Sequence, residues 1–246
     1  MAFKELRFFG RRKGKSLNNS RQRLLDEMLP KLKPVLPAEG QTIDFDTFFG
    51  IKPKEVWLEV GFGGGEHVAE LAKMYPDIGI LGAEPFVNGV VSLLAHLNGS
   101  HGGESLTAGL EQGRTDNVRI WPDDVRQMFP YIKDGIFERV FVLYPDPWPK
   151  ARHAERRFIN QANLHHLHRL MSHTAHLYVA TDVEAYAQWA VEQVTLSGLF
   201  EQVNKDISLP PVDWVPTRYE KKGIAAGRAP TYLVFRKKNE KNENNA

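Results

Sequence analysis

The chain has 246 residues, 42% hydrophobic and 25% charged, with a net charge of +2 and no cysteine. That length supports one large domain with a full core. The composition rules out disulfides, thiolate metal sites and cysteine nucleophiles, and no run of apolar residues is long enough to read as a membrane span.

In chain order, the first residues lack an apolar signal core, which predicts no export and a cytoplasmic location. Gly10-Arg-Arg-Lys-Gly-Lys15 reads as a basic arm with little to fold it. Ser20 opens a predicted short helix that Pro30 stops. Pro34, Pro37 and Gly40 make a connector, and Asp44–Phe49 is a short element expected to cover the sheet edge. An alternating pattern follows. Strands are predicted at Glu55–Val60, Ile78–Ala83, Asn117–Trp121, Val140–Leu143 and Ala175–Ala180. Helices are predicted at Glu66–Met74, Asn88–Leu97, through Met128, at Arg156–Met171 and at Val183–Ser197, with a flexible break at Asn98–Gly103 and a short helix on to Leu110. Thr217–Gly223 lacks an apolar period and reads as a functional loop, and Tyr232–Phe235 closes the sheet. The implied division is an arm and short helix over 1–40, a catalytic domain over 41–238 and a disordered tail over 239–246.

Strand–helix alternation predicts an α/β fold, a doubly wound and mostly parallel sheet with helices on both faces. Glu84, Asp124, Asp146 and Asp182 follow strand ends, and Glu59 precedes a glycine turn. The carboxyl ends of parallel strands share one edge, so these acids should ring one crevice. The turn Gly61-Phe-Gly63-Gly-Gly65 lets backbone approach a ligand closely. It lacks the Lys-Ser/Thr of a P-loop. An acid before the first glycine suits a cation better than a pyrophosphate, which favours S-adenosyl-L-methionine, although a nicotinamide cofactor and a purely structural turn share the pattern. Asp124 is placed to accept an adenine amino group, and Asp123 or Asp124 also suits a helix N-cap.

Tyr144-Pro-Asp-Pro-Trp-Pro-Lys150 holds three prolines. Each fixes its own φ and disfavours helix at the residue before it. This predicts a stiff, extended lip presenting Asp146, Trp148 and Lys150. The basic run Lys150–Arg157 follows. Asp182 suits either a helix cap or the site. The histidines at 165, 166, 168, 173 and 176 share no helix face and no acid joins them, so no metal is expected. Residues 1–33 hold ten Lys/Arg against three acids and residues 216–246 hold eight against three, leaving 14 against 24 between. Basic ends around an acidic body predict a polyanionic partner.

These motifs together resemble the bacterial tRNA (guanine-N7-)-methyltransferase family. The resemblance rests on Gly10–Lys15, Leu58-Glu-Val-Gly-Phe-Gly63, Gly82-Ala-Glu-Pro85, Tyr144-Pro-Asp-Pro-Trp-Pro-Lys-Ala-Arg-His153, Ala180-Thr-Asp182 and Pro216-Thr-Arg-Tyr-Glu-Lys-Lys-Gly223. It implies a Rossmann-like, class I S-adenosylmethionine-dependent methyltransferase acting on a guanine of the tRNA variable loop. By position it implies cofactor contacts at Glu59, Gly61, Gly63, Glu84, Asp124 and Asp146, with Asp146 also catalytic. It implies tRNA contacts at Lys150, Asp182, Thr217, Arg218, Tyr219 and Glu220. Departures are Pro149, Gly82-Ala-Glu-Pro85 and a long His101–Gly113 segment. A monomer or homodimer fits, as does contact of Lys150, Arg152, Arg156 and the Arg11–Lys15 arm with phosphates. The rivals are a methyltransferase on another base or a small molecule, and a non-catalytic RNA-binding protein of the same fold.

Overall fold

The computed structural model describes residues 8–99 and 116–239. The helix expected on to Leu110, the His101–Gly113 segment and nearly all of the tail lie outside the described residues. Eight α-helices are present among the described residues: α1 (Asn19–Glu27), α2 (Leu29–Leu32), α3 (Phe45–Phe48), α4 (Glu66–Met74), α5 (Val87–Leu97), α6 (Gln161–Leu170), α7 (Glu184–Ser197) and α8 (Arg218–Ala225). The strands are β1 (Glu55–Val60), β2 (Ile78–Ala83), β3 (Val118–Trp121), β4 (Phe137–Leu143), β5 (Met171–Thr181), β6 (Phe200–Gln202) and β7 (Thr231–Lys237).

They form one seven-stranded sheet in the order β3-β2-β1-β4-β5-β7-β6. The first five strands are parallel, and β7 runs antiparallel between β5 and β6. The order reverses between β1 and β4, where an open α/β sheet leaves a crevice at the strands' carboxyl ends.

Strand periodicity splits the core in two. Val56 and Leu58 of β1 face one cluster with Val140, Val142, Leu164, Leu167 and Tyr186. Trp57 faces the other, with Val68, Val90, Leu93 and Phe141. Buried Leu24, Met28 and Leu32 carry α1 and α2 into that second cluster. Helices thus cover both faces.

Several local expectations shift. The first helix is capped by the Asn18 side chain, which accepts from Arg21 N, and Pro30 lies in the first turn of α2 where its missing N–H costs nothing. Asp44 caps α3, whose flanking Phe49 packs over Gly79 of β2 and beneath Arg119 of the edge strand β3, so the element covers a face as well as that edge. The helix expected through Met128 is two 3₁₀ turns. α6 starts at Gln161 rather than Arg156, because Asn160 caps it by accepting from Asn163 N. Thr217–Gly223 is not a loop: it belongs to α8, with Thr217 as N-cap.

Candidate active site

The glycine turn leaves β1 through three left-handed residues, Gly61, Gly63 and Gly65. A side chain at Gly63 would also strike the Tyr219 ring, and one at Gly89 of α5 would overlap the Gly63 carbonyl. The turn is therefore pressed between α5 and α8. At the end of β2, Glu84 accepts from Gly63 N and Phe86 N, each at 2.8 Å. Burial raises the Glu84 pKa, those two amides oppose the shift, and the charges of Asp146 and Glu59 add to it.

After β3, Asp124 caps its 3₁₀ turn and is gripped by Arg126, whose Nε lies 2.9 Å from Oδ1. Asp123 pairs with Arg12 of the arm at 3.0 Å, and Arg12 and the Asp124 amide hold its pKa below the usual carboxylate range against the effect of burial. The sequence left both acids open as caps; each now has a separate partner.

The lip after β4 is stiff, but it is not uniformly extended. Tyr144 and Trp148, each directly before a proline, have φ of 50° and 41°. Tertiary contacts override the local preference. Tyr144 N donates to Ala180 O at 2.7 Å, and its ring is tucked toward the second core cluster. Burial and the nearby Glu220 charge push the Tyr144 hydroxyl pKa upward. The Trp148 ring lies against Arg156 and edge-on to His153, with the guanidinium 5.0 Å from its centroid. Asp146, between these two residues, is exposed.

Together these parts line one cleft of about 510 Å³. Gly61, Gly63, Glu84, Asp124, Asp146 and Tyr219 all face it. So do Phe8, Phe9 and Arg11 of the arm. The arm is docked rather than loose: Val87 N donates to Arg12 O, Gly14 N to Asn88 Oδ1, and Asn88 Nδ2 to Lys15 O. Neither Glu84 nor Asp146 forms an ion pair among the described residues.

The other predicted residues lie elsewhere. Glu59 is behind the turn, its Oε2 2.6 Å from His67 Nδ1, with both side chains 3% exposed. Period two puts Glu59 on the Trp57 face, under α4, which supplies the histidine. Asp182 binds Arg228 at 2.6 Å beneath α8. Glu220 is 4% exposed and accepts from Trp214 Nε1 at 2.9 Å and Tyr232 OH at 2.8 Å. Thr217 is a buried cap, and Lys150 is exposed at the start of the 3₁₀ turn after the lip. Arg218, Lys221 and Lys222 line a shallow groove next to Glu66. Arg126 and the arm phenylalanines are cleft residues that the sequence does not announce, and Arg157, which also lines the cleft, reads there only as the end of a basic run. No period marks them, and only proximity to an assigned acid or proline could have raised them. Among the described residues, no group of three or more His, Asp or Glu side chains is placed to hold a metal, and no helix is long and apolar enough to cross a membrane.

Residues 53–233 match the family described as "Putative methyltransferase". The tRNA (guanine-N(7)-)-methyltransferase of Rhodospirillum rubrum is 44% identical over 239 residues, 95% of this chain and 89% of that one. The tRNA (guanine-N(7)-)-methyltransferase of Paramagnetospirillum magneticum is 43% identical over 94% of this chain and 93% of its own. Among solved structures, an antibiotic-related methyltransferase aligns with TM-score 0.52 at 15% identity, over 82% of this chain and 98% of that one. The 16S rRNA methyltransferase KamB aligns with TM-score 0.51 at 12% identity, over 76% and 89%. At such identities these structures speak for the fold alone. The two sequence relatives leave almost none of the chain unmatched, and on that similarity the chain belongs to the tRNA (guanine-N(7)-)-methyltransferase family.

Proposed function

We propose that the chain methylates N7 of a guanine in the variable loop of tRNA, with S-adenosyl-L-methionine as donor. The observation that carries this reading is the pair Glu84 and Asp146: two carboxylates without cation partners, from β2 and β4, facing one cleft at the switch point. Such a pair makes the cleft negative, which suits a cationic donor and disfavours a phosphate.

The residues fit the donor. An ionised carboxylate offers about four acceptor positions, and two amides engage Glu84, which leaves room for the two hydroxyls of a ribose. Three donors of Arg126, its amide, Nε and Nη2, already engage Asp124, which leaves about one acceptor position for an adenine amino group. The Gly61–Gly65 turn lets backbone come close. When bound, the donor supplies an electrophilic methyl on a cationic sulfur.

Guanine N7 has a lone pair and no proton, so the site needs no general base. It needs in-line placement, which contributes up to ~7–11 kcal/mol. It also needs negative charge where the purine becomes cationic. Asp146 supplies that charge from a lip whose backbone is fixed on both sides. Arg11, Lys13 and Lys15 on the arm, with Lys150 and Arg152 after the lip, would take phosphates, as would Arg218, Lys221 and Lys222 on α8. Thr217, Asp182 and Glu220 act behind this surface by seating α8.

The test is transfer of labelled methyl to an unmodified tRNA transcript, followed by aniline cleavage. Cleavage at a variable-loop guanine is expected. Good transfer without cleavage rejects N7 as the acceptor.

A further inference from the structure

We propose that Arg157 is a positioning residue for this reaction: it clamps the lip, and through the lip sets Asp146. The inference rests on the function proposed above. In the sequence, Arg157 ends the basic run in which Lys150, Arg152 and Arg156 are expected at phosphates. The structure uses it differently. Its Nε donates to Pro147 O and its Nη2 to Trp148 O, both at 3.0 Å. One planar fork thus holds two successive carbonyls directly after Asp146.

The lip needs such an outside clamp. Pro145, Pro147 and Pro149 provide no amides, so the segment can make few hydrogen bonds of its own. It also carries left-handed Trp148 at φ 41°, a conformation that persists only where surroundings over-determine it. Arg157 is itself fixed. Its guanidinium lies 4.5 Å from the Trp189 ring centroid, and Trp189 Nε1 is tied to Ile159 O at 2.7 Å. Its own carbonyl accepts from Asn160, the cap of α6, at 2.8 Å. Among the described residues, no carboxylate forms an ion pair with it. The neighbouring Arg156 turns the other way, between the Phe9 and Trp148 rings. The twin arginines therefore divide the work, one bracing the lip and the other joining it to the arm.

A lysine keeps the charge at 157 but has neither fork nor plane. The full-length Arg157→Lys and Arg157→Gln enzymes separate a clamp from a phosphate contact. A clamp predicts that kcat on tRNA falls at least tenfold in both, since small misplacements can cost about a hundredfold. It predicts tRNA KM and donor affinity within threefold of wild type, and an unchanged dependence of tRNA affinity on salt. Added to Asp146→Asn, the Arg157→Lys change should cost far less than it does alone. Hydrogen exchange of the Tyr144–Lys150 amides should quicken in both variants, with no substrate involved. A near-normal Arg157→Lys enzyme beside an Arg157→Gln enzyme with a salt slope shallower by about one overturns the proposal in favour of a phosphate contact. A lower melting point with kcat per folded molecule and lip exchange both kept overturns it in favour of a purely structural role. If Arg157→Gln does not fold, the lysine variant decides alone. A wild-type protein that leaves tRNA unmethylated sinks the functional reading, and lip exchange then still judges the clamp.

Discussion

At the scale of single residues, the acids at the strand ends differ in charge and partnership. Glu59, Asp124, Asp182 and Glu220 each have a named partner, whereas Glu84 meets only backbone amides and Asp146 stands exposed. Asp146→Asn keeps the shape and removes the charge. Its kcat is expected to fall about a hundredfold, the usual loss when a preorganised electrostatic group is removed. Donor affinity should change little. Full activity with an unchanged pH profile would sink any charge-based role. The acids themselves were legible, because strand ends are legible. Which of them face inward was not, because that depends on partners distant in sequence, such as Arg228 for Asp182 and Trp214 and Tyr232 for Glu220. His67 was closer to hand, in the first turn of the helix that follows the glycines.

At the scale of elements, α8 is the clearest case of a signal present and unread. Thr217-x-x-Glu220 is the spacing of a capping box, and Thr217 Oγ1 does accept from Glu220 N at 3.1 Å. The Glu220 side chain, however, turns into the core instead of back to the cap. There it gathers the indole of Trp214 and the hydroxyl of Tyr232, one from the preceding segment and one from β7. Glu220→Ala leaves one buried and one part-buried donor without an acceptor, at about 1–3 kcal/mol for the buried one and less for the other. A loss of ~2–4 kcal/mol in urea unfolding is expected, with a smaller loss for Glu220→Gln. An unchanged midpoint would show that α8 is seated by other contacts. The first α/β units are legible because β1 and β2 are short apolar runs and α4 an apolar stripe, each bounded by glycine or proline. The late start of α6 has a physical reason: residues 157–159 are spent bracing the lip and receiving Trp189 before Asn160 can cap a helix.

Across the whole molecule, the basic arm and the acidic body meet at the cleft. Composition predicted the asymmetry but not the docking, since a glycine-flanked basic run carries no sign of the α5 start it rests on. Arg12 is committed to Asp123, which leaves Arg11, Lys13 and Lys15 to reach phosphates. Deleting residues 1–15 should make the dependence of tRNA affinity on salt shallower by about two. Filter binding across a salt series measures this, and an unchanged slope would remove the arm from tRNA recognition.

The sheet's last strand has a consequence for how the chain is made. β7 lies between β5 and β6, and β6 pairs only with β7 among the described residues. During synthesis β5 is therefore a waiting edge, and β6 has nowhere to bind until β7 leaves the ribosome. Tyr232, which anchors Glu220, arrives in that same stretch. A nascent or prematurely terminated chain can build the half of the crevice that holds the glycine turn and Glu84. It cannot yet seat the helix expected to face RNA.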